Sequence, residues 1–363
     1  MYHHVVKPGL AEQGWLHSAM LELTYACNLD CFFCYNDRGL RGRRLELNDY
    51  LSLLDDLAAM QVLFLCLTGG EPLVHKDFFA IGRAARERGF VIRIKTGGHG
   101  LRGRIAERVK REVDPLETEI SLHGATRETH ERQTRVAGSF DRLIDAIPEL
   151  VELGLRPRFV TTLTAWNEHQ IADMFALADR LGVPLRFQGP VGPRDDGDRT
   201  PLQIQPSTEG WTTLLAIAAE RRTRTVADME CAPVPSQNGA RKKGVCGAGT
   251  DEVLIDPFGS VFPCLHLRSA AGNVHDESIR DIWRSHVFRD ARRLSRDAAD
   301  RVEREGPLSI LGAPMYCPGL EQKGCSCSSQ PDTFSDRLTT IGGRPSSMSA
   351  LHAHEDEKYA HAP

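Results

Sequence analysis

The sequence predicts an α/β protein: an open, partial (β/α)6 barrel followed by a small, cysteine-rich C-terminal domain. Three features predict it. Six strand-like runs alternate with helical patterns between residues 20 and 188, the order that builds a parallel sheet with right-handed crossovers. Six such units are too few to close an eight-fold barrel. Six of the ten cysteines lie beyond the last of these runs, in a turn-rich region.

The first strand is expected over Met20–Tyr25, where apolar residues alternate as the chain enters the core. The second, Val62–Leu67, contains the continuous apolar run Leu63-Phe64-Leu65-Cys66-Leu67 of a strand buried on both faces. Phe90–Lys95, Glu117–Leu122, Pro157–Leu163 and Leu185–Gln188 complete the set. Helical patterns occupy Leu45–Met60, Lys76–Arg88, Arg102–Arg111, Phe140–Leu153 and Glu168–Leu181. Several stop at a glycine (Gly89, Gly154, Gly182), as helix C-termini often do. Residues 189–210, rich in Pro, Gly and Asp, mark a boundary. The expected domains are therefore an arm at 1–18, the barrel at 19–210, a C-terminal domain at 211–330 beginning with a helix at Trp211–Arg222, and a tail without fixed structure at 331–363.

A chain of 363 residues can bury two modest cores. Its formal charge of −4 offers no footprint for nucleic acid or for an anionic membrane. No apolar run reaches the ~18 residues of a spanning helix, and the N-terminus lacks the apolar core of a signal peptide. The cytoplasm is the expected location, with neither membrane nor nucleic acid as partner. Ten cysteines in that compartment point to metal or redox chemistry rather than disulfides.

The stretch Cys27-Asn28-Leu29-Asp30-Cys31-Phe32-Phe33-Cys34 follows the first strand. Three thiolates at these spacings can wrap one face of an iron–sulfur cube. A protein-held cluster normally takes four cysteines, so three leave one iron open to a small molecule. A structural zinc knuckle is the competing reading, but zinc wants four ligands, usually two C-x2-C pairs, and no fourth lies near in sequence. The second strand then ends in Thr68-Gly69-Gly70-Glu71-Pro72, whose glycines let backbone groups approach a ligand closely.

C-x3-C-x2-C followed by GGEP closely resembles the radical SAM (S-adenosylmethionine) superfamily. The resemblance implies that Cys27, Cys31 and Cys34 hold a [4Fe–4S] cluster whose open iron is chelated by SAM, with Gly69, Gly70 and Glu71 at SAM's amino group. It further places Ser121, in Ser121-Leu122-His123-Gly124, near SAM's carboxylate or ribose, Arg135 at the carboxylate, Asn167 at the ribose, and Phe33 and Tyr35 near adenine. The plain alternatives are a surface arginine for Arg135, a loop cap for Asn167, and packing at the barrel mouth for the two aromatics. Lys95-Thr96-Gly97-Gly98 departs from the family's Thr-Asn-Gly, and His123 stands where Asp is more usual. Cys66 reads as a small core hydrophobe.

Cys246-x12-Gly259-x4-Cys264, then Gly272-Asn273-Val274 and Ser278–Trp283, is similar to SPASM and twitch domains, which add auxiliary clusters to radical SAM enzymes. Six cysteines outside the barrel are too few for two fully ligated cubes. The resemblance thus implies one auxiliary [4Fe–4S] cluster on Cys246, Cys264, Cys317 and either Cys325 or Cys327; a zinc ribbon is the alternative. Cys231, Cys327 and His266 are the weak candidates for a catalytic role. Leu265 stands where sulfatase-modifying members carry an Asp base, which counts against that role.

The implied activity is reductive cleavage of SAM to a 5′-deoxyadenosyl radical that abstracts hydrogen from a substrate C–H bond. It would be fed by a one-electron donor of flavodoxin or ferredoxin type. The expected substrate is a ribosomally made peptide, to be crosslinked or oxidised. With some 18 residues ahead of the first strand, it would need a separate leader-binding protein or none. A small-molecule dehydrogenase of aminocyclitol type is the second reading. An iron–sulfur electron-transfer protein is the third, and the intact GGEP segment counts against it.

Overall fold

The structure, a computed structural model, describes residues 14–189, 191–228, 247–305, 317, 319 and 323. The six expected strands are present as β1 (Ser18–Glu22), β2 (Phe64–Thr68), β3 (Val91–Thr96), β4 (Glu117–Ser121), β5 (Pro157–Thr162) and β6 (Leu185–Gln188). Each pairs in parallel with the next in sequence. That order is the run of βα units the sequence announced.

The intervening helices are α1 (Leu47–Ala59), α2 (Phe78–Glu87), α3 (Arg104–Glu112), α4 (Arg127–Thr134), α5 (Ser139–Glu152) and α6 (Ile171–Arg180). In α1, Tyr50, Leu53, Leu54 and Leu57 recur at helical spacing and are buried. They join Ala19, Leu21, Leu65, Leu67, Ile92 and Ile94 in the main core. The other face of the sheet near β1 buries Met20, Cys66, Leu254 and Phe262. Cys66 is thus the small core residue expected, and burial pushes its thiol up to about 12. β3 alternates rather than runs apolar, and β4 buries Thr118 and Glu119 beside Ile120. Lys95 and Arg186 both approach Glu119, at 3.8 and 3.0 Å, on the face opposite Ile92 and Ile94.

Helix α4 was invisible to periodicity because its buried side chains are polar: Thr129, His130, Gln133 and Thr134. Thr126 caps it, accepting from the Thr129 amide. Beyond the barrel, α7 (Thr208–Asp228) packs Trp211 and Leu214 on Leu163, Ile171 and Phe175. The chain then returns to the sheet. β7 (Glu252–Ile255) pairs in parallel with β1, and the antiparallel β8 (Ser260–Phe262) and β9 (Gly272–Asn273) follow outward. Asp256 accepts from the Phe258 and Ser260 amides, both at 2.8 Å, and shapes the turn the sequence suggested around Gly259. Helices α8 (Ile279–Trp283) and α9 (His286–Glu305) complete the described chain. No helix among the described residues is long and apolar enough to cross a membrane.

Candidate functional site

Cys27, Cys31 and Cys34 stand on the loop that leaves the carboxyl end of β1, the end where parallel α/β proteins gather their ligands. The loop is tied down on two sides, by α4 and by the GGEP turn. From α4, the carbonyls of Thr134 and Gln133 accept from the Asp30 and Phe32 amides at 3.0 and 2.9 Å. From the GGEP turn, the Gly70 and Glu71 amides donate to the Thr24 and Ala26 carbonyls at 2.6 and 2.9 Å. Asn36, buried just past Cys34, donates to the Gly69 carbonyl at 3.3 Å.

The two glycines are a steric requirement. Gly69 has φ +130°, and a Cβ there would strike the Thr24 carbonyl; at Gly70 it would strike the Ala26 carbonyl. Glu71 is buried and its carboxylate faces inward. It accepts from the Thr96 hydroxyl at 2.9 Å, the Gly97 amide at 2.8 Å and the Leu73 amide at 3.2 Å. Burial pushes its pKa up while these donors pull it down, and burial prevails. Gly97, the departure from Thr-Asn-Gly, has its reason here: a Cβ would stand 2.7 Å from Leu29 Cδ1, inside the cysteine loop.

The remaining sequence candidates are spread around this loop. Ser121 ends β4 and is half-buried. Phe33 meets the ring of His123 edge-on at 4.8 Å. Tyr35 donates its hydroxyl to Glu22 at 2.8 Å. Arg135 ends α4 with a left-handed φ of 57° and leans over Phe32, 3.5 Å from Asp30. Asn167 is fully buried; it accepts from the Thr164 amide and donates to the carbonyls of Thr162 and His123, tying the ends of β4 and β5 together. His123 and its stacked neighbour His130 are both held neutral by burial, at about 3 and about 4.

Of the second cysteine set, Cys264 follows β8 and accepts from the Leu267 amide at 3.3 Å, and Cys317 is half-buried. Cys231, Cys246, Cys325 and Cys327 lie outside the described residues. His266 is pushed down to about 4 by burial and by the cations Lys323 and Arg268.

Residues 21–181 match the radical SAM superfamily, and residues 246–304 match SPASM, an iron–sulfur cluster-binding domain. Mycofactocin maturase MftC of Mycobacterium ulcerans is 32% identical over 281 residues, 75% of each chain. This chain belongs to the radical SAM superfamily. As a radical SAM enzyme it takes a SAM-binding [4Fe–4S] cluster, SAM itself and, at its SPASM domain, an auxiliary iron–sulfur cluster. An AdoMet-dependent heme synthase of Methanosarcina barkeri is 27% identical over 327 residues, 83% of this chain and 90% of the relative. PqqA peptide cyclase of Ruegeria pomeroyi is 28% identical over 284 residues, 73% of each. Among solved structures, Streptococcus suis SuiB bound to S-adenosylmethionine shares the fold, with a TM-score of 0.61 at 16% identity, over 77% of this chain and 68% of SuiB.

The three thiols of the loop are the donor type that an iron–sulfur cluster takes. Burial pushes the Cys27 and Cys31 thiols up, and the neighbouring cysteines of the loop push both further. A cationic iron–sulfur group relieves that penalty, because its ligands bind as anions.

Sequence reading missed Glu22 and Arg268. Glu22 ends β1 fully buried, and Arg268 holds both its carboxylate oxygens, at 3.0 and 2.9 Å, from 246 positions away. A charged residue inside an apolar strand was the one available signal for Glu22. For Arg268 there was none.

Proposed function

We propose that Cys27, Cys31 and Cys34 hold the SAM-binding [4Fe–4S] cluster and that the chain modifies a ribosomally made peptide. When bound, the cluster and SAM supply a 5′-deoxyadenosyl radical able to remove hydrogen from an unactivated C–H bond. The single observation that carries this reading is the clamp between the cysteine loop and the Gly69–Gly70 turn, which joins the three thiols to a backbone surface with no room for side chains.

The chain's own groups divide the work. Gly69, Gly70 and Glu71 present backbone and a held carboxylate to SAM's amino group. Ser121 and Arg135 serve its carboxylate, Phe33 and Tyr35 border the adenine, and Asn167 keeps the strand ends in register beneath the ribose. Cys246, Cys264, Cys317 and one of Cys325 and Cys327 hold a single auxiliary cluster. A flavodoxin- or ferredoxin-type protein is the electron donor, a separate protein presents the peptide where a leader must be bound, and the oxygen lability of such clusters supports a cytoplasmic location.

The peptide reading is supported by the likeness to PqqA peptide cyclase and to the mycofactocin maturase. The heme synthase, which this chain matches over a larger share of both lengths, supports a porphyrin-type substrate as the second reading. The test is anaerobic reconstitution with iron, SAM and dithionite, with and without a candidate precursor peptide, sought among short reading frames beside the gene. Two cubes mean about eight irons per chain, deoxyadenosine, and a mass change in the peptide. Near twelve irons would refute the single auxiliary cluster. An unmodified peptide, together with turnover of a porphyrin, would move the assignment to the second reading.

A further inference from the structure

Both flanks of the cysteine loop end on one carboxylate. Tyr25, two residues before Cys27, donates to Glu22 Oε2 at 3.2 Å. Tyr35, directly after Cys34, donates to Glu22 Oε1 at 2.8 Å. The guanidinium of Arg268 bonds both oxygens, so Glu22 accepts four hydrogen bonds, the full capacity of a carboxylate.

Arg268 belongs to the SPASM segment, four residues after Cys264, and only a tenth of its side chain is exposed. Its Nε donates to the Leu265 carbonyl and lies 3.2 Å from Asp195 Oδ2. Asp195 is held in turn by Lys323 at 3.0 Å, and its amide donates to the Tyr35 carbonyl at 2.8 Å. The guanidinium also stands 5.5 Å from the Tyr35 ring and 5.0 Å from that of Phe262. One buried and one partly buried carboxylate are thus matched by two cations, and Tyr35 is held at its ring, its hydroxyl and its backbone.

We propose that Arg268 is a positioning residue for the SAM site: acting through Glu22 and Tyr35, it makes the shape of the cysteine loop depend on a side chain supplied by the SPASM domain. The inference rests on the reading that this loop carries the SAM-binding cluster. A planar fork is needed because one donor group must serve two oxygens at once, which an ammonium does less well. Without it Glu22 is a buried charge with two phenols for company, and the loop's two ends lose their common anchor.

Two variants separate positioning from bulk stability. Arg268→Lys keeps the charge and removes the fork. Tyr35→Phe keeps the Glu22–Arg268 pair and removes one hydroxyl. Wild type, both variants and Cys27→Ala are reconstituted anaerobically, then compared for iron per chain, melting temperature, SAM affinity, and the electron paramagnetic resonance spectrum of the reduced protein with and without SAM. Both variants should keep wild-type iron, bind SAM about tenfold or more weakly, as losing a charge-assisted hydrogen bond implies, and show an altered SAM-dependent spectral change. Wild-type SAM affinity and spectra in both variants would overturn the proposal. So would loss of iron from Arg268→Lys alone while Tyr35→Phe binds SAM normally, since that marks a merely structural ion pair. A wild-type SAM response that survives Cys27→Ala would refute the cluster-loop reading itself, and with it the inference.

Discussion

The amide of Gly70 donates to the carbonyl oxygen of Thr24 at 2.6 Å. That bond, with its neighbour from Glu71 to Ala26, makes the cysteine loop and the GGEP turn one continuous backbone surface. It also explains why neither glycine tolerates a side chain: the space is occupied by the carbonyls that accept the bonds.

Gly70→Ala should therefore break the clamp. The new Cβ meets backbone, which cannot swing aside as a side chain could. A loss of at least about 2 kcal/mol in folding stability is expected, together with loss of measurable SAM binding. Urea denaturation and anaerobic binding titrations check it; a variant that binds SAM like wild type would show the clamp to be dispensable.

Replacing Cys27, Cys31 and Cys34 together by alanine should remove about four irons per chain and leave the auxiliary set in place. Deoxyadenosine formation should cease. Iron analysis and chromatography decide it, and an unchanged iron count would place the SAM-binding cluster elsewhere.

Glu71→Gln keeps the size of the side chain but turns an NH2 group toward one of the three donors that now converge on the carboxylate. The mismatch should cost about 1–3 kcal/mol. Thr96→Ser, which keeps the hydroxyl that donates to Glu71 and accepts from the Gly98 amide, should cost less. Denaturation midpoints of the two variants give the comparison, and equal losses would contradict the convergent geometry.

Stability should also fall on mild acidification. In the unfolded chain His123 and His130 protonate near the ordinary 6.5, but in the fold only near 3 and near 4, because burial disfavours the cation. Between those limits the unfolded chain binds more protons, so stability that is full above 6.5 drains away as pH falls toward 4. Each histidine should contribute a loss of roughly 1.4 kcal/mol by pH 5.5. His130→Asn, which retains an acceptor for the His123 amide, should lose roughly 1.4 kcal/mol less than wild type between about pH 7.5 and 5.5. Denaturation at both pH values, at equal iron content, measures it; a variant as acid-sensitive as wild type would acquit the pair.

Much of this protein was legible in local pattern. The six strands fall within a few residues of their expected limits, because alternation and apolar runs report directly on which faces are buried. Cys27, Cys31, Cys34, Gly69, Gly70 and Glu71 were singled out because the chemistry proposed for them depends on spacing, which sequence displays. Helix α4 escaped because Thr129, His130, Gln133 and Thr134 bury polar groups through specific hydrogen bonds, and no hydropathy period records those. Tyr35 was expected beside adenine; its hydroxyl and ring also engage Glu22 and Arg268, contacts that no neighbouring residue suggests.

By itself, then, the sequence determined the parallel α/β order, the three-cysteine loop and the glycine turn, since each follows from residues adjacent in the chain. Only the tertiary structure decided that β7 returns to lie beside β1, that α4 docks under the cysteine loop, and that Arg268 meets Glu22 across 246 positions. Such pairings depend on how the sheet brings distant segments together, and a buried charge finds its partner only after that closure.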